Sequence, residues 1–349
     1  MKQAEDIRIL IIYTGGTIGM IENPETGALE NFDRNSLLRH IPELKRFQMQ
    51  IEVETFGHPI DSSDMEPACW ERIVRLIADN YDRCDGFVVL HGTDTMAYTA
   101  SALSFMLENL GKPVVITGSQ LPLGKLRTDG KENLLTSIEI AAARDADGLP
   151  MVPEVCIFFE SRLMRGNRTT KINAEGFNAF RSYNLPSLAH AGIHIRYATH
   201  LIRRPSPDAV FKPHFRLDNH VIILTLFPGI RSEFVESVCR IEGLKAVVLK
   251  TFGSGNAPQR PWLFDTLRRL SRRGVIVVNV TQCSAGSVEM RHYRTGLGLL
   301  KAGVVPGYDA TPEAILTKLM MLLGHNCSRD ELIRRLGTDM AGEMTVEND

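Results

Sequence analysis

Short apolar runs without polar alternation recur along the chain. Each is four to six residues long and most are rich in β-branched side chains. Because neither face of such a run is polar, the pattern predicts strands that are covered on both sides, as in a parallel sheet. The runs are Ile9–Tyr13, Phe87–Leu90, Val114–Thr117, Val155–Phe159, Val221–Leu226, Ala246–Leu249 and Val275–Val280.

Helix-like segments separate many of these runs. The clearest is Asp64–Tyr81, which offers Asp64 as a capping residue and Pro67 in the first turn, followed by a single apolar stripe. Thr95–Leu110 and Asp265–Arg273 predict two further helices, each followed by a glycine. Strands that alternate with helices predict an α/β fold with right-handed crossovers.

A proline-rich segment without periodicity divides the chain. It runs from about His194 to Asn219 and predicts a boundary between two domains. We therefore expect a larger N-terminal domain over residues 1–195, with a mostly parallel sheet flanked by helices. A linker over 196–217 and a smaller C-terminal α/β domain over 218–349 would follow it.

The first candidate motif, Tyr13–Met20 (YTGGTIGM), follows the first predicted strand. Paired glycines permit a tight turn at the strand end where ligands bind in open α/β sheets. The hydroxyl of Thr17 would then lie at the mouth of a crevice. The alternative is a glycine-rich connection with a capping threonine. A dinucleotide site is disfavoured because the spacing is G-G-x-x-G rather than G-x-G-x-x-G.

The second candidate motif, His91–Met96 (HGTDTM), directly follows the predicted strand Phe87–Leu90. Thr93 and Asp94 again leave the carboxyl end of a strand, where a carboxylate can bind a substrate ammonium or orient a base. Capping of the next helix by Asp94 is the simpler alternative.

The third motif, Asp61–Asp64 (DSSD), precedes the first predicted helix. Hydroxyls and N–H groups at a helix start suit a carboxylate ligand, although capping alone also explains the motif. The fourth, Arg165–Lys171 (RGNRTTK), follows the strand Val155–Phe159. A lone lysine is usually a solvated surface charge, but Lys171 beside an aspartate in a crevice could move protons. A threonine nucleophile needs such a partner.

Together these motifs resemble the bacterial-type L-asparaginase family, in particular its cytoplasmic type I branch. The resemblance covers the chain from Ile9 to about Leu323, and two threonine signatures at this spacing are far more specific than either alone. The matching segments are Thr14–Met20, Asp61–Asp64, His91–Met96, Thr117–Gln120, Arg165–Lys171 and Phe252–Pro258.

The resemblance implies an amidohydrolase that converts L-asparagine to L-aspartate and ammonia. Thr17 matches the nucleophile that forms a β-aspartyl ester. Thr93, Asp94 and Lys171 match a second triad that transfers protons and activates the deacylating water. Tyr293 is the candidate for a tyrosine that completes the first triad.

The same resemblance implies how the substrate is bound. Ser62 and Ser63, with Asp61 beside them, match the contacts to the α-carboxylate, and Thr93 and Asp94 line the same site, with Asp94 on the α-ammonium. Some type I enzymes carry an activating second asparagine site. Its residues correspond to Thr170, Lys250 and Cys283. Lys250 stands where arginine is usual and cannot bind a carboxylate in the same bidentate way, which weakens the expectation of allosteric activation.

Composition narrows the choice of partner and compartment. Lys and Arg number 40 against 41 Asp and Glu, so the formal net charge of −1 argues against nucleic-acid binding. The acidic N-terminus does not read as a signal peptide, and no run approaches the roughly 18 apolar residues of a membrane span. Six widely spaced cysteines predict reduced thiols. We therefore expect a cytoplasmic protein without membrane contact. The family resemblance implies a homodimer or homotetramer that needs no cofactor or metal.

The sequence leaves two rival functions open. One is a glutamine-preferring enzyme or the amidase subunit of a tRNA-dependent amidotransferase, which resembles this family but carries an extra domain before its first threonine motif. The other is a non-catalytic amino-acid sensor on the same fold. A sensor would be expected to lose one of four side chains that are all present, namely Thr17, Thr93, Asp94 and Lys171.

Overall fold

Two compact units divide the chain in the computed structural model, which describes residues 6–19, 21–22, 29–30, 37, 39, 41–291 and 294–346. The first unit ends at Phe215 and the second begins at Arg216. Each unit contains a parallel sheet and helices, so the predicted two-domain α/β class is confirmed.

An eight-stranded sheet with the order β13-β12-β9-β8-β7-β5-β1-β4 forms the centre of the first unit. Neighbours from β4 to β8 pair in parallel, whereas β8, β9, β12 and β13 pair antiparallel at one edge. The strands of this unit, including short pairs outside the sheet, are β1 Arg8–Gly15, β2 Ile21–Glu22, β3 Leu29–Glu30, β4 Gln50–Ile60, β5 Gly86–Leu90, β6 Leu107–Glu108, β7 Val114–Thr117, β8 Val155–Phe159, β9 Arg162–Arg165, β10 Thr170–Lys171, β11 Phe180–Arg181, β12 Ala189–Ala191, β13 Ile195–Tyr197 and β14 Lys212–Pro213.

The apolar runs of the sequence form the middle of this sheet. All residues of β5, β7 and β8 are buried, as are those of β1 after Arg8. Burial on both faces explains why these strands lack polar alternation. β4 is less buried than these strands because it lies at the edge of the sheet, and most of its residues are partly or fully exposed.

Three helices of the first unit are described beyond residue 41: α1 Pro67–Asp79, α2 Met96–Met106 and α3 Gly130–Ala142. The prediction that Asp64 caps α1 is wrong, because Asp64 ends the 3-10 turn Ser62–Asp64 and Glu66 occupies the N-cap. α2 stops before the predicted Leu110 because Leu107 begins β6, which pairs with β14. Tertiary pairing therefore overrides the helical pattern there.

Residues 196–215, predicted as part of a linker, carry structure of their own. β13 pairs with β12 in the eight-stranded sheet, and β14 pairs with β6. This segment clusters with the first unit.

The second unit contains a four-stranded parallel sheet with the order β15-β16-β17-β18. Its strands are β15 Val221–Thr225, β16 Ala246–Thr251, β17 Ile276–Thr281 and β18 Val304–Pro306. Its helices are α4 Ser232–Val238, α5 Pro261–Arg272, α6 Arg294–Lys301, α7 Pro312–Gly324 and α8 Arg329–Leu336. α5 begins before the predicted Asp265 because Pro261 suits its first turn. Within the described ranges, no helix has the length and apolar character needed to cross a bilayer.

Candidate active site

The first motif forms a tight turn at the carboxyl end of β1. Gly16 has a φ of +88°, a left-handed conformation that favours glycine, and the 3-10 turn Thr17–Gly19 follows it. Thr17 is half-buried, whereas the next residue, Ile18, is fully buried. The turn therefore anchors itself in the core through Ile18 and leaves Thr17 partly accessible.

Glycines bring the first three motifs into contact. A Cβ placed on Gly16 would lie 2.4 Å from the Gly92 Cα, so the two backbones approach too closely for any side chain. A Cβ on Gly92 would in turn lie 2.5 Å from the Ser62 Oγ. The turn that carries Thr17 is thus packed against Gly92, the residue before Thr93, and Ser62 also contacts Gly92. The first, second and third motifs therefore meet through close contacts of Gly16, Gly92 and Ser62.

A hydrogen-bonded trio lies beside this contact. Lys171, on β10, places its Nζ 2.8 Å from the Thr93 Oγ1 and 2.6 Å from the Asp94 Oδ1. The Lys171 side chain is 18% exposed and that of Asp94 is 64% exposed. The Lys171 side chain is therefore mostly shielded, while that of Asp94 stays open to a ligand.

Gln120, which ends the matching segment Thr117–Gln120 but was given no role in the site, completes the surroundings of Thr93. The Thr93 hydroxyl donates to the Gln120 Oε1 at 3.1 Å, and the Gln120 Nε2 donates to the carbonyls of Gly176 and Ala174 at 3.1 and 3.3 Å. Thr93 therefore accepts from lysine and donates to the amide. Its sequence signal was an amide side chain just beyond the strand β7.

The serine motif is held by its own aspartate. The Asp61 Oδ1 accepts from both the N–H and the hydroxyl of Ser63 at 2.9 Å, and these bonds hold the pKa of the Asp61 carboxyl below its usual value. Ser62 is buried, and its Oγ accepts the Asp94 N–H at 3.3 Å. Ser62 thus connects the third motif to the second, whereas Ser63 stabilises the turn.

Behind the second motif lies a buried chain of side-chain hydrogen bonds. The Trp70 Nε1 donates to the Thr99 Oγ1 at 2.9 Å, and that oxygen lies 2.8 Å from the His91 Nε2. The His91 Nδ1 lies 2.6 Å from the Gly92 carbonyl, which can only accept. These partners fit a neutral ring protonated on Nδ1, with the Thr99 hydroxyl donating to Nε2. Burial lowers the pKa of His91 from 6.5 to about 4.

Family models match both units of the chain. The model described as "Asparaginase, N-terminal" covers residues 8–203, and the "Glutaminase/Asparaginase C-terminal domain" covers residues 220–336. The chain belongs to the asparaginase family. The contacts between Gly16, Gly92 and Ser62 are therefore features of an asparaginase fold.

Similar asparaginases extend over nearly the whole chain. L-asparaginase 1 of Escherichia coli K12 is 44% identical, over 97% of this chain and 98% of its own. The crystal structure of L-asparaginase I from Vibrio cholerae is 46% identical, with a TM-score of 0.87, 97% coverage of this chain and 99% of its own. The thermostable L-asparaginase from Thermococcus kodakarensis is 33% identical, with the same TM-score and coverage.

Other residues implied by the asparaginase resemblance have separate places. Tyr293 lies outside the described residues. Thr170 lies on β10 in the first unit, whereas Lys250 is on β16 and Cys283 follows β17 in the second. Among the described residues, no group of three or more His, Cys, Asp or Glu side chains could hold a metal ion.

Proposed function

We propose that this chain hydrolyses L-asparagine to L-aspartate and ammonia, with the Thr17 hydroxyl as nucleophile. The observation that carries the proposal is the contact of one lysine, Lys171, with both Thr93 and Asp94, beside the backbone that packs on the Thr17 turn. The relatives named L-asparaginase support the choice of substrate, since they match along almost their full length.

Acylation uses the first motif. The Thr17 oxygen attacks the carbon of the side-chain amide, and the proton of its hydroxyl is transferred to the departing nitrogen. Ammonia leaves and a β-aspartyl ester remains on Thr17. The N–H groups of Gly92 and Thr93 are our candidates for stabilising the transient oxyanion.

Deacylation uses the second motif. Lys171 donates to both Thr93 and Asp94, and these contacts support a path for protons from an attacking water through the three side chains. Water adds to the ester carbon and one of its protons returns to the Thr17 oxygen. L-aspartate leaves and the starting enzyme is restored.

Two charged or polar contacts would select a free amino acid. The exposed Asp94 carboxylate is suited to the α-ammonium group. The Ser62 oxygen accepts the Asp94 N–H, and its own hydroxyl proton can be donated to the α-carboxylate. In this arrangement Asp61 acts indirectly, because its carboxylate fixes Ser63 and the serine turn.

Location, assembly and regulation stay predictions. A cytoplasmic location is supported by the six cysteines, all of which are free thiols, as expected in a reducing compartment. Association as a homodimer or homotetramer rests on the family resemblance alone. If the second asparagine site at Thr170, Lys250 and Cys283 operates, the velocity curve should be sigmoidal at low asparagine concentration. A hyperbolic curve would contradict this prediction.

The decisive experiment is an ammonia-release assay on L-asparagine, L-glutamine and isoaspartyl peptides in parallel. We expect kcat/KM to be highest for L-asparagine. A higher value for glutamine would favour the glutamine-preferring rival. Absence of turnover with all three, in protein shown to be folded by circular dichroism, would contradict an amidohydrolase function and favour an amino-acid sensor.

A further inference from the structure

An aromatic ring lies directly beneath the turn that carries Thr17. A Cβ placed on Gly19 would lie 2.2 Å from the Tyr13 Oη, 2.3 Å from its Cζ and 2.5 Å from its Cε2. The backbone of Gly19 is not in the left-handed region, so its conformation alone would accept any side chain. The ring of Tyr13 therefore leaves no space for a side chain at residue 19.

The ring has little freedom to move aside. Tyr13 is 3% exposed and belongs to a hydrophobic core cluster of the first unit, together with Ile11, Ile18 and Leu90. Its burial also raises the pKa of the phenol to about 12, so the hydroxyl stays neutral at physiological pH. Because interiors are close-packed, a group added at residue 19 would displace the turn more readily than the ring.

A displacement of Gly19 would also displace Thr17, because both belong to one hydrogen-bonded turn. The Gly19 N–H donates to the Gly16 carbonyl at 3.2 Å and closes the turn in which Thr17 and Ile18 are the central residues. The other end of the turn is fixed by the contact of Gly16 with Gly92. The turn is thus held between two close contacts, one at each end.

We propose that Tyr13 is a positioning residue for the nucleophile, because its contact with Gly19 sets the height of the Thr17 turn above the sheet. This inference rests on the proposed role of Thr17 and goes beyond it. It assigns the function of a support to a buried side chain. A misplacement of about 1 Å can reduce a rate on the order of 10²-fold.

The first test is Gly19→Ala. We expect kcat for ammonia release to fall about 10²-fold, while the inhibition constant of L-aspartate changes less than about threefold, because Ser62 and Asp94 lie on other segments. Gly192→Ala is the matched control. Gly192 also lacks left-handed backbone, and a Cβ there would lie 3.9 Å from the His194 carbonyl, its nearest neighbour beyond the adjacent residues.

The second test is rescue by a smaller neighbour. Tyr13→Leu removes the far half of the ring, where all three close atoms lie, and keeps apolar volume next to the backbone. We expect Tyr13→Leu/Gly19→Ala to recover at least about tenfold in kcat over Gly19→Ala. A folded Gly19→Ala variant with kcat within threefold of the original, or a double variant no faster than Gly19→Ala, would overturn the proposal.

Two further measurements test the contact between Tyr13 and Gly19 even if Gly19→Ala does not fold or if asparagine is not the substrate. If Gly19→Ala does not fold, adding it to Tyr13→Leu should cost less than about threefold, and a tenfold loss would contradict the support role. If the original chain does not turn over asparagine, the proposed function fails, yet amide exchange of the turn still tests the contact. Exchange at residue 19 should rise in Gly19→Ala and return towards the original in the double variant.

Discussion

Polar side chains lie near the carboxyl ends of parallel strands in both units, but they bond to different partners. In the first unit, Thr93 and Asp94 bond to Lys171, and this pair of charges remains partly open to solvent. In the second unit, Thr251 donates to Asn279 at 2.7 Å and Thr281 donates to the Gly253 carbonyl at 2.6 Å, with all three side chains buried.

The comparison shows that a strand end alone does not make a candidate site. The Asn279 Nδ2 also donates to the Gly255 carbonyl at 3.2 Å, so the second set fixes a loop to its sheet. Such groups stabilise the fold because their hydrogen bonds replace those lost to water on burial. The first set instead leaves an ionised pair next to a half-buried hydroxyl, which is the arrangement that proton transfer requires.

The largest expected effect comes from the threonine of the first motif. Thr17→Ala should lower kcat on the order of 10⁴-fold or more, because no nucleophile remains, while the unfolding midpoint changes little. Ammonia release under saturating asparagine measures this change. Thr251→Ala is the matched substitution in the second unit, and it should reduce stability while keeping most of the turnover. Similar turnover in both variants would remove the distinction between the two strand ends.

Two lysine–carboxylate pairs sharpen the same contrast. In the second unit the Lys318 Nζ lies 2.5 Å from the Glu343 Oε1, and both side chains are 0% exposed. Lys318→Met would leave Glu343 buried without its cation and should reduce the free energy of unfolding by about 3–5 kcal/mol. Urea denaturation measures the loss, and Lys318→Met/Glu343→Gln should recover part of it. An unchanged midpoint would show that the buried pair does not hold the C-terminal segment.

Acid should weaken the first unit through His91. Burial lowers the pKa of the folded ring from 6.5 to about 4, so between these values only the unfolded chain takes up a proton. This contribution to stability is fully present above pH 6.5 and is lost as the pH falls to about 4, by roughly 3 kcal/mol. The measurement is the unfolding free energy against pH, compared with His91→Asn. Equal slopes for the two proteins would contradict a neutral buried ring.

The smallest expected effect is that of removing the lysine of the first-unit pair, as the counterpart of Lys318→Met in the second unit. Lys171→Met should reduce kcat by about 10²-fold, since proton transfer through Thr93 loses its charged partner. The unfolding midpoint should change little, because Asp94 is largely exposed and tolerates the loss of the cation. A reduction in kcat of less than about tenfold would count against proton transfer by Lys171.

Several parts of the site could be predicted from sequence because they depend on local chemistry. Apolar runs such as Phe87–Leu90 predict buried strands, and a motif that follows such a run lies at the edge of the sheet where ligands bind. The roles given to Thr17, Thr93, Asp94 and Lys171 came from the family resemblance and stay proposals. The wrong cap at Asp64 shows the limit of local reading, since a 3-10 turn competes with the helix start.

The sequence by itself determined the α/β class, the segments that form the central strands and the motifs that follow those strands, because periodicity and turn chemistry are local properties. Tertiary structure decided which atoms touch. The bond from Thr93 to Gln120, the ring of Tyr13 under Gly19 and the close approach of Gly16 to Gly92 join residues whose neighbours in space are set by sheet register and packing. Those distances depend on how distant strands align, and no short stretch of sequence encodes that alignment.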